Sequence, residues 1–212
     1  MENKLRSVLI WLFKVIKILG IKFGFIFPTL KAKLFLRMYG CEYGSNFRVC
    51  GKVYLRISKI NSILIGENVT LIARFLTNTV GITNPIVLEC IEGGEIVIGN
   101  NSGLTSAVIS SRQRITIGDY VKIGGNARLF DHDFHSIDYL SRREGENDKK
   151  GVRSAEIVVG NDVFIGTNAI ILKGVHIGAR CIIAAGSVVT IKNIPDGSIV
   201  AGNPATIVGQ IK

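Results

Sequence analysis

Two of the three histidines of this chain fall in one short run, Asp131-His132-Asp133-Phe134-His135-Ser136-Ile137-Asp138, beside three carboxylates. An imidazole with an unperturbed pKa near ~6.5 can take a proton from a hydroxyl at neutral pH, and a carboxylate beside it can fix which ring nitrogen stays protonated. His132 and His135 are therefore candidate general bases, with Asp131, Asp133 and Asp138 available to orient them. The run opens a polar, charged segment, Asp131 to Glu156, that is long for a connection in a compact fold, and loops of that kind are commonly functional.

What must position this loop is the stretch that follows it. Counting from Val159, aliphatic residues recur every sixth position at Ile165, Ile171, Ile177, Ile183 and Val189. Four residues after each comes Val163, Ala169, Val175, Cys181 or Ser187. A helix repeats every ~3.6 residues and a strand every two, so a sustained beat of six means a short strand plus a turn, repeated. Such repetition marks a β-solenoid. Three units per turn would stack Val159 on Ile177, Ile165 on Ile183 and Ile171 on Val189. Small residues after the aliphatics, at Gly160, Gly166, Gly178 and Ala184, suit tight corners. The same beat is ragged from Tyr43 to Ile98, breaks over Ala73 to Leu88, and is regular again from Ile98 to Leu129. The interval 130–156 is an excursion from the coil, and the expected organisation is an arm at 1–40, a coil at 41–192 and a C-terminal segment at 193–212.

Composition agrees with a packed β protein: 212 residues, 47% hydrophobic, 24 glycines. Cys41, Cys50, Cys90 and Cys181 form no CxxC pair and read as buried thiols of a reducing cytoplasm. The net charge of +10 is uneven, since residues 1–40 carry eight basic residues against Glu2 alone. No basic face interleaved with exposed aromatics follows, so nucleic acid is not an expected partner. The arm's apolar runs are broken by Lys14, Lys17 and Lys22, which argues against a spanning helix, and no cleavage site marks a secretory signal. One or two amphipathic helices, ending near Pro28 and resuming at Thr29, are expected. Their apolar face would lie on an anionic membrane or pack on the coil or a neighbouring subunit.

These motifs resemble the hexapeptide-repeat acyltransferases, and specifically their maltose, galactoside and polysaccharide O-acetyltransferase branch. The resemblance runs from about Ile98 to Val208. It is carried by the 131–138 run, by Val159-Gly160-Asn161-Asp162-Val163-Phe164-Ile165-Gly166, by Ala184-Ala185-Gly186-Ser187-Val188-Val189-Thr190 and by Val200-Ala201-Gly202-Asn203-Pro204-Ala205. It implies a left-handed parallel β-helix, a homotrimer, and acetyl-CoA bound between neighbouring coils without a metal. A loop histidine would deprotonate a saccharide hydroxyl for direct attack on the thioester. His135 matches that position first, because His135-Ser136-Ile137-Asp138 is similar to the branch's His-Pro-Ile-Asp, and His132 second. Asp133 joins the catalytic set, and Thr167 would stabilise the oxyanion. Gly166, Thr167, Ala184, Ala185, Thr190, Lys192 and Asn203 would line the coenzyme groove, with Ser106 and Asp131 near the acceptor. Relatives often carry arginines after Gly-Asn-Pro-Ala, where this chain has Thr206 and Gly209, so the resemblance implies either weaker coenzyme binding or phosphates held by Lys192, Lys212 or Arg180 of the partner subunit. The three-histidine zinc site of γ-type carbonic anhydrases is not matched, since the third histidine, His176, lies downstream. N-acylation of an amino-sugar nucleotide and a non-catalytic scaffold are the alternative readings.

Overall fold

The computed structural model describes residues 2–211, without the side chains of Glu2, Asn3 and Leu5; Lys212 lies outside the described residues. After the N-terminal helix α1 (Glu2–Met38) the chain winds as a three-walled coil of parallel strands. Wall I has seven strands, from Glu42–Tyr43 to Asn193–Ile194. Wall II runs from Arg48–Gly51 to Ser198–Gly202 and ends on the antiparallel strand Ala205–Gln210. Wall III has six strands, from Val53–Ile57 to Val188–Val189.

The six-residue beat sets the register. Val159 pairs with Ile177, Ile165 with Ile183 and Ile171 with Val189, as the spacing predicts. Wall I carries an unbroken inward column of Ile65, Ile98, Ile117, Val159, Ile177 and Ile194, each 3% exposed or less. Every fully buried aliphatic of this size contributes about 1.5–3 kcal/mol by leaving water. All four cysteines are free and buried, and burial pushes the Cys90 thiol up to about 12.

The corners divide two tasks between two residues. At the I–II corner Gly118 is small because the next rung passes close by: a Cβ there would meet the Gly160 carbonyl carbon at 2.9 Å. Positive φ falls two residues later, on Tyr120 at 59°, Asp162 at 60° and Arg180 at 58°. Close approach, not backbone handedness, selects those glycines.

The chain leaves the coil twice. Residues 74–85 form an insertion between the strands Thr70–Ala73 and Ile86–Cys90, where the sequence loses register. Residues 131–156 form the second, which contains the short helix α2 (Gly145–Lys150). It is tied down at both ends: His132 bridges to Ser154, and Arg112 donates to the Lys149 carbonyl at 3.1 Å.

α1 is one helix and runs through Pro28, correcting the expected break there. Proline lacks an N–H and crowds the carbonyl four residues back, which here belongs to Gly24. Ala32 and Leu36 are buried against the first rung, and Thr29 Oγ1 accepts from the Val49 amide at 2.9 Å, so the base of α1 caps the open end of the coil. Among the described residues no helix is long and apolar enough to cross a membrane.

Ile117→Ala should lower the unfolding free energy by about 2–5 kcal/mol in urea titrations. A loss below about 1 kcal/mol would mean that the inward column is not close-packed.

Candidate active site

The III–I edge is where the catalytic run begins. Immediately after the wall III strand Arg128–Phe130, Asp131 turns inward and is fully buried. Its Oδ1 accepts from the Arg112 amide at 2.7 Å, and its Oδ2 accepts from the Gln113 amide at 2.9 Å and the Ser111 hydroxyl at 2.8 Å. Burial pushes its pKa up, yet the bonds from His132, the two amides and Ser111 outweigh it and hold the carboxyl below its usual range. Its oxygens are committed to the coil and to His132, the geometry against which an acceptor contact of Asp131 has to be weighed.

His132 Nδ1 lies 3.1 Å from Asp131 Oδ1. An ionised carboxylate only accepts, so Nδ1 carries the proton and Nε2 presents its lone pair. Nε2 is buried and has no hydrogen-bond partner, and the ring is roofed by Phe134 at 4.4 Å between centroids. Phe134 holds a φ of 50°, unusual for an aromatic residue, and also meets Phe130 edge-on at 5.1 Å. Asp133 sends Oδ1 to Lys173 Nζ and leaves Oδ2 buried and unpartnered.

His135 is in a different situation. Its side chain is 71% exposed, and Nδ1 is 2.7 Å from Asp148 Oδ2 on α2. Asp148 Oδ1 also accepts from the Ser136 amide at 2.7 Å. The His135 bond and then that amide hold the Asp148 carboxyl below its ordinary range. Beside Phe134, on the same edge, a cleft of about 430 Å³ is lined by Arg56, Ser58, Glu89 and Glu92. Its charges are paired, Arg56 with Glu89 at 2.9 Å and Arg112 with Glu92.

The coenzyme candidates divide between two edges. Gly166, Thr167, Ala184, Ala185 and Asn203 follow wall II strands and stack along the II–III edge. Gly166 is required there by the coil itself, since a Cβ would meet the Ala185 amide nitrogen at 2.5 Å. No carboxylate lies among these five, and a side chain at neighbouring Gly186 would meet nothing within 4 Å, so the edge is open and uncharged. Such a strip suits a long flexible ligand laid along the axis. The 74–85 insertion closes its lower end, where Thr83 N donates to Asn126 Oδ1 at 2.9 Å and Asn78 Nδ2 to Thr105 Oγ1 at 3.2 Å. Ser106, expected near the acceptor, lies under that insertion, 0% exposed with φ 45° and an unpartnered hydroxyl.

Thr190 and Lys192 follow wall III and belong to the other edge, with the histidines. Lys192 Nζ donates to the Lys173 carbonyl at 2.6 Å. Within one chain the histidines and Thr167 sit across wall III from one another, separated by a three-residue strand and its flanks, on the order of 15 Å. Phe134, Asp148 and Lys173 were not anticipated. Phe134 stands between the two histidines in sequence, but nothing in the charged run singles out Asp148.

Known proteins share this architecture. The family pattern described as bacterial transferase hexapeptide, six repeats, matches residues 156–190. The galactoside O-acetyltransferase of Escherichia coli (strain K12) is 36% identical over 120 residues, which is 56% of this chain and 56% of that one. The chain thus spans little more than half the length of that curated relative. A hexapeptide-repeat-containing acetyltransferase from Vibrio cholerae is 32% identical over 69% of this chain and 73% of its own, with a TM-score of 0.55. The same protein has been solved with acetyl coenzyme A, at 25% identity and a TM-score of 0.58. A variant of AntD, an N-acyltransferase from Bacillus cereus in complex with dTDP-4-amino-4,6-dideoxyglucose and coenzyme A, shares the fold at 18% identity, 89% and 91% coverage and a TM-score of 0.69. With its stacked hexapeptide walls, inward aliphatic columns and this likeness over most of the Vibrio cholerae chain, the protein is a left-handed parallel β-helix and belongs to the hexapeptide-repeat transferase family.

Proposed function

We propose that this chain is an acetyl-CoA-dependent O-acetyltransferase acting on a saccharide hydroxyl, with His132 as the general base. One observation carries the reading: a buried imidazole whose Nδ1 is fixed by an ion held on coil amides, and whose Nε2 has no partner. A hydroxyl would complete that nitrogen's hydrogen bonding and lose its proton to it. Acetyl-CoA, when bound, supplies the acyl group as a thioester.

The chain's own residues would act as follows. His132 Nε2 accepts the proton of the acceptor hydroxyl as its oxygen attacks the acyl carbon, and returns that proton to the departing sulfur. Asp131 holds the imidazole in the required tautomer and stabilises the imidazolium. Thr167 donates to the acyl oxygen as charge develops there. Phe134 must swing aside to admit the acceptor, and the cleft beside Arg56 and Glu89 offers paired polar groups to a sugar. Ala185, Asn203 and Gly166 would flank the pantetheine along the II–III edge, with Thr190 and Lys192 meeting the coenzyme from the other edge.

Because the two edges are apart in one chain, a complete site requires the III–I edge of one subunit against the II–III edge of the next. A heterologous contact of this kind closes into a ring when its rotation closes, and on this reading the ring is a homotrimer. The protein would work in the cytoplasm, where acetyl-CoA is available, with residues 1–40 contacting the inner membrane face and a lipid-linked saccharide as acceptor. His135 is the second reading, favoured by its exposure and its own carboxylate partner, Asp148.

With acetyl-CoA and saccharide acceptors, His132→Ala should lower kcat by about 10²–10⁴-fold, and His135→Ala by less than about tenfold. The reverse order would assign the base to His135. Unchanged turnover in both variants, or no CoA release with any glycan, would favour a scaffold, and consumption of amino-sugar nucleotides alone would favour N-acylation.

Mixing inactive His132→Ala subunits with Ala185→Trp subunits should restore part of the activity, since a mixed trimer contains a site with both edges intact. No recovery after verified subunit exchange would place the site within one chain.

Asp131 has a folded-state pKa below its unfolded value near ~3.9, so its stabilisation is complete above that pH and is lost as pH falls through the folded value. Asp131→Asn should therefore melt below wild type at pH 7, and the two melting temperatures should converge in acid. A gap that persists at low pH would mean that the carboxylate charge is not what stabilises the loop.

A further inference from the structure

α1 buries Ala32 and Leu36 on the coil, most of its other large apolar side chains are exposed, Trp11 and Ile18 on that same side among them, and the most continuous apolar row, a stripe, runs along the opposite side for most of its length. It passes from Leu9 through Leu12, Ile16, Leu19 and Phe23 to Leu30 at steps of three and four residues, apart from one longer step bridged by Ile26 and Phe27. These side chains are 42–73% exposed. From Val8 to Leu34 the stripe is about 40 Å long, at ~1.5 Å per residue. On a helical projection Lys22 and Lys33 border it on one side, and Lys17 and Lys31 on the other. Glu2 is the only acidic residue in the helix.

A second copy of α1 would match the apolar stripe but would bring cations against cations. An anionic bilayer matches both, because its interior takes the stripe and its headgroups take the flanking lysines, whose stems can reach outward. The helix is too interrupted by charge to cross, so it would lie flat.

A second feature points to the same partner. Between α1 and the wall III strand Val53–Ile57 lies a groove of about 610 Å³, with Phe27, Tyr54 and Phe75 as apolar surfaces and Lys31, Lys52 and Arg74 as cations. No carboxylate lines it. Lys31 and Lys52 have no ion-pair partner among the described residues, while Arg74 donates to the Gly20 carbonyl at 2.7 Å. Phe27 belongs to both stripe and groove, so the groove opens where the helix would meet the lipid.

We infer that α1 lies on an anionic membrane surface and that the groove at its base binds the phosphate of a membrane lipid between Lys31, Lys52 and Arg74, with the first part of the lipid chain on Phe27 and Phe75. Tyr54 in this groove and Arg56 in the cleft beside Phe134 are consecutive outward side chains of one strand, about 7 Å apart. On the acetyltransferase reading, a lipid-linked saccharide held by its phosphate would extend its sugar across wall III toward His132.

The test is flotation of the full-length protein with vesicles of phosphatidylcholine alone or with phosphatidylglycerol. Wild type should float with the phosphatidylglycerol vesicles, and binding should weaken as salt is raised. Ile16→Glu with Phe23→Glu should abolish flotation, and Lys31→Glu with Lys52→Glu should weaken it roughly tenfold or more. All of these positions are on the surface, and circular dichroism and native mass would verify the fold. Failure of wild type to float, equal flotation on both vesicle types, or unchanged flotation of the lysine variants would overturn the inference. A change of native mass in the Ile16/Phe23 variant without lipid would assign the stripe to helix packing between subunits instead. Turnover of a soluble saccharide acceptor on the same variants separates this inference from the catalytic one. Lost flotation with wild-type turnover supports membrane docking alone, whereas flotation without turnover in wild type sinks the acetyltransferase reading and leaves the docking surface standing.

Discussion

Backbone hydrogen bonds between consecutive rungs hold the walls and edges of this protein in place, and its candidate site is built from them. Each parallel strand is only two to five residues long, too short to be stable alone, and takes its register from the rung beneath it. That register works only if the corners let rungs approach closely, which is why Gly118 and Gly166 carry no side chain, and only if inward positions present aliphatics of matching size. Packing and hydrogen bonding then reinforce each other: the column through Ile117 and Val159 excludes water from the same ladder that keeps the column straight.

A regular coil makes straight edges, and straight edges carry no chemistry until something interrupts them. The two excursions do so in opposite senses. Residues 74–85 fold over the II–III edge and cover Ser106 and Asn126, closing a groove that is open above. Residues 131–156 leave the III–I edge, and the first residue to depart, Asp131, remains bonded to the amides of the preceding rung. The imidazole of His132 therefore rests on the coil through Asp131, not on the far part of the loop. His135, three residues further, has already lost that support and depends on α2. Buried charge is costly unless it is saturated with hydrogen bonds. Asp131 meets that condition, and the saturation both lowers its pKa and removes it from contact with a ligand.

α1 shows how one helix can serve two surroundings. Its base is shaped by the coil, with small Gly24 beneath Arg74 and buried Ala32 and Leu36. The remainder keeps an apolar stripe and a high positive charge that the rest of the fold does not use. Because stripe and buried face lie on opposite sides, the helix can close the coil and meet another surface at once.

The six-residue beat was enough to set the walls, the stacks of Val159 on Ile177 and Ile165 on Ile183, and the two departures from the coil, because periodic burial is written directly in the order of residues. The histidine run also stood out, since its residue types are scarce elsewhere in the chain. Sequence order could not say that Asp131 would turn inward while His135 turned out, because that depends on which rung amides are left without partners. Nor could it tell that Asp148 would meet His135, that Phe134 would roof His132, or that Thr167 and the histidines would occupy different edges. Those relations depend on local backbone turns or join residues distant in the chain, and only winding the coil into three dimensions fixes which of them become neighbours.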